Sequence, residues 1–177
     1  MAGVDGELRA AAMELYPWIV LLHVVGAFVF VLSHGASVWV VNAIARERDA
    51  RRIAALSDLS SLSLSGAYIG LLLLLIGGIW AGIYAGFFSR AAWIWVALVV
   101  FFAVAIAMYL VATPFFKRLR IALGQRVQGM AKDAPDPVAA PDADILAIAA
   151  AAPTMALNAV GGIGLVVILW LMVVKPF

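Results

Sequence analysis

The stretch LSSLSLSGAYIGLLLLLIGGIWAGIYAGFFS, residues 59–89, contains no Lys, Arg, Asp or Glu. It is longer than the roughly 20 apolar residues that a helix needs to cross about 30 Å of hydrocarbon. A transmembrane β-strand would be roughly 10 residues of alternating polarity, which the unbroken apolar run Leu71 to Ile76 contradicts. A helix buried in a soluble domain is usually shorter and needs a polar exterior supplied by the rest of the chain. Here the rest cannot supply one: of 177 residues, 66% are hydrophobic and 12% charged, about half the charged share of a soluble domain.

Outward from this stretch, residues 17–42, 91–116 and 145–174 are equally free of charge. The sequence therefore predicts an all-α fold, a polytopic four-transmembrane-helix bundle. It forms a single membrane domain over residues 1–177, with helices at about 17–41, 62–86, 92–113 and 154–173. Residues 1–16 read as a polar leader whose end lies against the bilayer, with Pro17 opening the first helix, where a missing N–H costs nothing. Asp5, Glu7 and Glu14 against Arg9 alone, with no small-residue cleavage pattern, make this segment a retained helix rather than a secretory signal.

Between the spans, Arg46 to Asp58 reads as a short interfacial helix that lays Ile53, Ala54 and Leu56 on lipid while its arginines reach headgroups. Residues 86–90 read as a tight turn that makes the second and third helices antiparallel neighbours. Residues 114–153 read as a cytoplasmic amphipathic and linker segment. It has a proline-rich stretch at 134–141, a surface helix from Asp142 to Ala151, and Pro153 at the junction with the last span.

The basic residues give the orientation. Arg46, Arg48, Arg51 and Arg52 occupy the first loop, and Lys117, Arg118, Arg120, Arg126 and Lys132 the third, against Arg9, Arg90 and Lys175 on the other side. Both termini are therefore expected on the outer side. Trp18, Trp80, Trp93, Trp95 and Trp170 then fall at the outer interface and Trp39 at the inner one, the headgroup depth that amphipathic rings favour.

In lipid, helix association depends on close backbone approach and polar contacts rather than hydrophobic burial. Gly66, Gly70, Gly78, Gly82 and Gly86 recur at multiples of four residues and mark one packing face of the second helix. Ser57, Ser61 and Ser65 also step by four, with hydroxyls able to bond back to the preceding turn or across to another helix. Asn158 is the isolated polar residue of the last span, placed by this reading in its outer half.

The histidines are His23 and His34, both in the first helix. Eleven positions at 100° return to within about 20° of the same direction, with a rise of about 16 Å. They share a stripe at two depths and cannot bind one ion together. Imidazole in a membrane helix serves as a hydrogen-bonded packing group, a proton carrier, a copper or zinc ligand, or an axial haem ligand, and the residues alone leave these open. Met108, Met155 and Met172 offer thioether ligation.

Haem at both depths with two imidazoles each would need a second histidine-bearing chain. The absence of cysteine excludes disulfides and thiolate chemistry. Ser33 beside His34 is no hydrolase pair, because adjacent helical residues do not face one another. There is no phosphate loop or dinucleotide fingerprint.

Leu22-His23-Val24-Val25-Gly26-Ala27 with His34, the Arg51-Arg52-Ile53-Ala54 connector, the glycine-rich second helix and the terminal Trp170-Leu171-Met172-Val173-Val174-Lys175-Pro176 resemble a group of uncharacterised bacterial small four-helix integral membrane proteins. More distantly, they resemble the copper-resistance D family and membrane bundles that hold haem b on histidines. The resemblance covers essentially the whole chain. It implies a multi-pass protein of the bacterial cytoplasmic (inner) membrane, with haem b as cofactor at His23 and His34 and copper as the alternative metal there.

The chain departs from the copper pattern in lacking a dense Met/His pathway and any cysteine, which raises haem above copper. The expected function is thus haem b binding for electron transfer or redox chemistry, with enzyme activity left open. The alternatives are a non-catalytic structural or assembly subunit of a larger membrane complex, and a copper or small-solute permease. Expected partners are the lipid bilayer and a second copy or larger membrane complex, and no nucleic acid.

Overall fold

A computed structural model describes the backbone of residues 2–177 and the side chains of residues 14–177. Helices run α1 Ala2–Arg46, α2 Ala50–Tyr84, α3 Phe87–Arg90, α4 Ala92–Ala122, α5 Asp142–Ala150 and α6 Thr154–Val174. Four helical spans are long and apolar enough to cross a membrane, over Glu14–Arg46, Ala50–Tyr84, Ala92–Ala122 and Asp142–Val174. The chain is an all-α, four-helix membrane-spanning bundle.

The helices are longer than hydrocarbon thickness alone requires. The 35 residues of α2 rise about 52 Å at 1.5 Å per residue, against about 30 Å of hydrocarbon. α1 passes through Pro17 instead of starting there. Proline forfeits one backbone hydrogen bond, whereas breaking the helix in lipid would leave several backbone groups without partners. The side chains of residues 1–13, and with them the expected contact of the leader with the bilayer, lie outside the described residues.

The segment 46–58 forms no separate interfacial helix. Only Glu47 to Asp49 interrupt the helices. The Asp49 carboxylate accepts from the Arg51 and Arg52 amides (2.8 and 3.4 Å), capping α2, and Glu47 accepts from the Arg48 amide (2.8 Å). Ile53, expected against lipid, is 0% exposed. It joins Val40, Ile44, Leu119, Ala122, Ile145 and Ala149 in a small core where α5 folds over the ends of α1, α2 and α4. The helix extensions beyond the charge-free stretches thus have an apolar face to bury against one another.

α4 likewise continues through Pro114 to Ala122. Residues 123–141 are largely irregular, tied back by the Ala140 amide donating to the Ala122 carbonyl (2.8 Å). At the opposite end, Gly86 adopts φ 67°, ψ 24° between α2 and α3, a left-handed conformation that glycine takes without a Cβ penalty. The chain end returns to this turn: the Trp93 amide donates to the Phe177 carbonyl (3.4 Å), and the Lys175 ammonium lies 5.3 Å from the Phe87 ring centre and 5.6 Å from that of Trp93.

The bundle therefore has an aromatic end, with residues 80–95 and 170–177, and a basic end, with the 47–49 turn, the end of α4 and α5. α1 with α2 and α4 with α6 form the two extensive interfaces, and the contacts between these hairpins are much thinner.

Candidate functional site

The α1–α2 seam brings backbone against backbone. A methyl group added at Gly26 would overlap the Leu74 amide, one at Gly70 would overlap the Phe30 amide, and one at Gly77 would lie 2.7 Å from the His23 amide nitrogen. Such approach is available only to residues without side chains. The His23 ring lies beside Gly78, where an added methyl would come within 2.7 Å of Nδ1 and 2.8 Å of Cε1.

His23 Nδ1 donates to the Leu74 carbonyl oxygen at 2.8 Å. The carbonyl can only accept, so the proton is on Nδ1, and Nε2 of the neutral ring keeps its lone pair. Imidazoles that ligate metals are commonly held this way, the non-ligating nitrogen donating to a backbone carbonyl. His34 is placed differently. It stacks on Phe30, one turn earlier, with ring centres 5.4 Å apart and planes 7° from parallel. Its Nε2 points at α6, 3.1 Å from where a Gly161 β-carbon would be, with Met108 Sδ 3.8 Å from the same point. Among the described residues His34 forms no side-chain hydrogen bond.

The shared stripe on α1 thus meets two different neighbours, α2 at His23 and α6 at His34. This sets how each ring suits haem. His23 has Nδ1 engaged by the Leu74 carbonyl and Nε2 without a hydrogen-bond partner among the described residues, so Nε2 is the atom that could hold a metal. Any group held by His34 Nε2 would lie on the side facing Gly161 of α6 and Met108 of α4. Of the candidate thioethers, Met108 of α4 is beside His34 and Met155 is exposed. Among the described residues, no group of three or more His, Asp or Glu is gathered to hold a metal ion.

The five glycines named from spacing divide three ways. Gly66 faces Ser33, Gly70 the Phe30 backbone and Gly78 the His23 ring, all on α1; Gly82 faces Ile94 and Phe88; Gly86 is the turn residue. Gly26 and Gly77, the backbone contacts beside His23, fall outside the four-residue rule. Seven-residue spacing from Gly70 to Gly77 would have found the second.

Ser61 Oγ donates to the Ser57 carbonyl (3.1 Å) and Ser65 Oγ to that of Ser61 (3.3 Å). Ser61 also accepts from Arg120 of α4. Asn158 pairs reciprocally with Asn42, each amide nitrogen donating to the other's oxygen at 3.1 and 3.2 Å. This places Asn158 at the basic end, not in the outer half of its span, because α6 begins at Thr154, one turn before it. The pair borders a crevice of about 420 Å³ lined by Val38, Trp39, Asn42, Ala43, Arg46 and Asn158. Neither histidine reaches it.

A family described as "Predicted integral membrane protein (DUF2269)" matches residues 17–176. Its description names neither haem nor copper. No curated protein and no solved structure matches the chain.

Proposed function

The chain belongs to this DUF2269 family of integral membrane proteins, and from that premise we propose that it is a haem b-binding electron-transfer subunit with His23 as an iron ligand. The supporting observation is the 2.8 Å bond from His23 Nδ1 to the Leu74 carbonyl, which orients the ring and leaves Nε2 as a σ-donor. Haem b, when bound, supplies one-electron redox chemistry.

The chain's own contribution is to hold the imidazole tautomer and to clamp α1 on α2 through Gly26, Gly70 and Gly77. One chain offers one imidazole at this depth, so bis-histidine ligation needs a homodimer or another histidine-bearing subunit. The basic loops support an orientation in a bacterial cytoplasmic membrane with both termini outside. Copper at the same histidine is the alternative metal reading.

The test is the absorption spectrum of protein purified from cells with ample haem supply. The expected result is a Soret band that His23→Ala removes and His34→Ala retains. A haem-free preparation, or a band indifferent to His23→Ala, overturns the assignment. Elemental analysis of the same preparation reads out copper.

A second reading has its own support: the same bond and the Gly77 contact make His23 a stitch between α1 and α2, suited to a non-catalytic structural or assembly subunit. That reading expects His23→Ala to change stability without changing cofactor content, and copurifying membrane proteins to survive the substitution. Loss of those proteins from His23→Ala samples that remain folded counts against it.

A further inference from the structure

At the basic end, Arg120 of α4 reaches across to α2, where its Nη2 donates to the Ser57 carbonyl (3.4 Å) and to Ser61 Oγ. Its Nε is buried without a partner, and so is Ser57 Oγ beside it, on a residue 0% exposed. The ion pairs among the described residues are Arg52 with Glu47 and Arg126 with Asp136; no carboxylate neutralises Arg120. Asp58, next to Ser57, accepts from Gln125 Nε2 instead (2.9 Å). Lys117 and Arg118 add exposed positive charge one turn or less away.

A part-buried guanidinium at the membrane edge is unfavourable without a counter-charge. What is left over is a guanidinium with donors to spare and no counter-charge, and the chemistry that fits it is a multi-oxygen anion. Phosphate oxygens match the planar fork of arginine and form charge-assisted hydrogen bonds with it. We propose that Arg120, positioned by the Ser57 carbonyl and the Ser61 hydroxyl, forms a phosphate-binding site at the α2–α4 seam, taking either the phosphodiester of an anionic phospholipid headgroup or free phosphate. It is independent of the histidines and of any cofactor on them.

The experiment uses the full chain, delipidated in dodecyl maltoside, with two ligand arms. Dioleoylphosphatidylglycerol is titrated by native mass spectrometry, and inorganic phosphate by thermal unfolding. The wild type is expected to bind at least one of them about tenfold or more tightly than Arg120→Gln, the scale of a lost charge-assisted contact, while Arg118→Gln stays within about twofold of wild type.

Binding in the lipid arm alone identifies a headgroup, and stabilisation by inorganic phosphate identifies a free anion. Equal binding by wild type and Arg120→Gln in both arms overturns the site, leaving a solvated arginine. An Arg118→Gln loss as large as that of Arg120→Gln overturns it in favour of diffuse surface charge. Helix content by circular dichroism checks folding. Should Arg120→Gln not fold, Arg120→Lys keeps the charge and loses the fork; weaker binding than wild type is expected, and unchanged binding overturns the proposal.

Discussion

The His23 imidazole and the Leu74 carbonyl oxygen, 2.8 Å apart, form a side-chain hydrogen bond across the α1–α2 seam, one helical turn before Gly78 leaves room for the ring. Interhelical hydrogen bonds in membranes contribute about 0.6–2 kcal/mol. His23→Ala should therefore destabilise the protein by about 1–2 kcal/mol, including the packing lost over Gly78, as measured by denaturant or thermal unfolding in detergent. His23→Gln should recover part of this through its amide donor. Identical stabilities for the wild type and His23→Ala would remove the bond from the energetics of the seam.

Gly77 and Gly162 separate packing from propensity. An added methyl at Gly77 meets backbone at His23, whereas at Gly162 it meets nothing within 4 Å. Backbone cannot rotate away, so Gly77→Ala should cost about 1–3 kcal/mol. Gly162→Ala should be neutral or slightly stabilising, by up to about 1 kcal/mol through helix propensity. Thermal unfolding of the two variants side by side checks the contrast.

Asn42 and Asn158 should couple. Both amide–amide bonds join α1 to α6, where the two hairpins otherwise share little contact. A double-mutant cycle with Asn42→Ala and Asn158→Ala should give a coupling of about 0.5–1.5 kcal/mol. A coupling within error of zero would mean that each amide finds equal partners elsewhere.

Gly86 adopts φ 67° in the turn after α2, where an ordinary side chain costs about 1–2 kcal/mol. Gly86→Ala should lower stability by about 1 kcal/mol, and Gly86→Asn by less, since asparagine tolerates the left-handed region. The same unfolding assay checks the order Gly, Asn, Ala.

The four spans were legible because hydrocarbon thickness imposes a minimum length on charge-free helix, and that constraint acts on composition alone. The turn at Gly86 was legible for a related reason, a short link between two long apolar segments. Helix ends were less so. Ile53 sits among arginines and reads as interfacial, but only folding α5 back over α1, α2 and α4 creates the core that buries it. Asn158 was legible as an unusual polar residue in a span whose start near residue 154 already sets it beside the basic loop; its partner Asn42 was not, because it depends on how α1 and α6 cross.

The candidate site divides in the same way. Histidine spacing along α1 determined by itself that His23 and His34 lie at two depths on one stripe, since helical rise and turn are fixed by backbone geometry. Their partners were decided by tertiary structure alone: a Leu74 carbonyl, whose availability no side chain signals, and the α6 surface at Gly161, which comes from elsewhere in the chain. Arg120 is the same case, one more basic residue at a membrane edge until α4 packs on α2 and sets it against Ser57 and Ser61. Periodicity is local and was in the sequence; which face meets which depends on how helices distant in the chain cross, and only the packed bundle decides that.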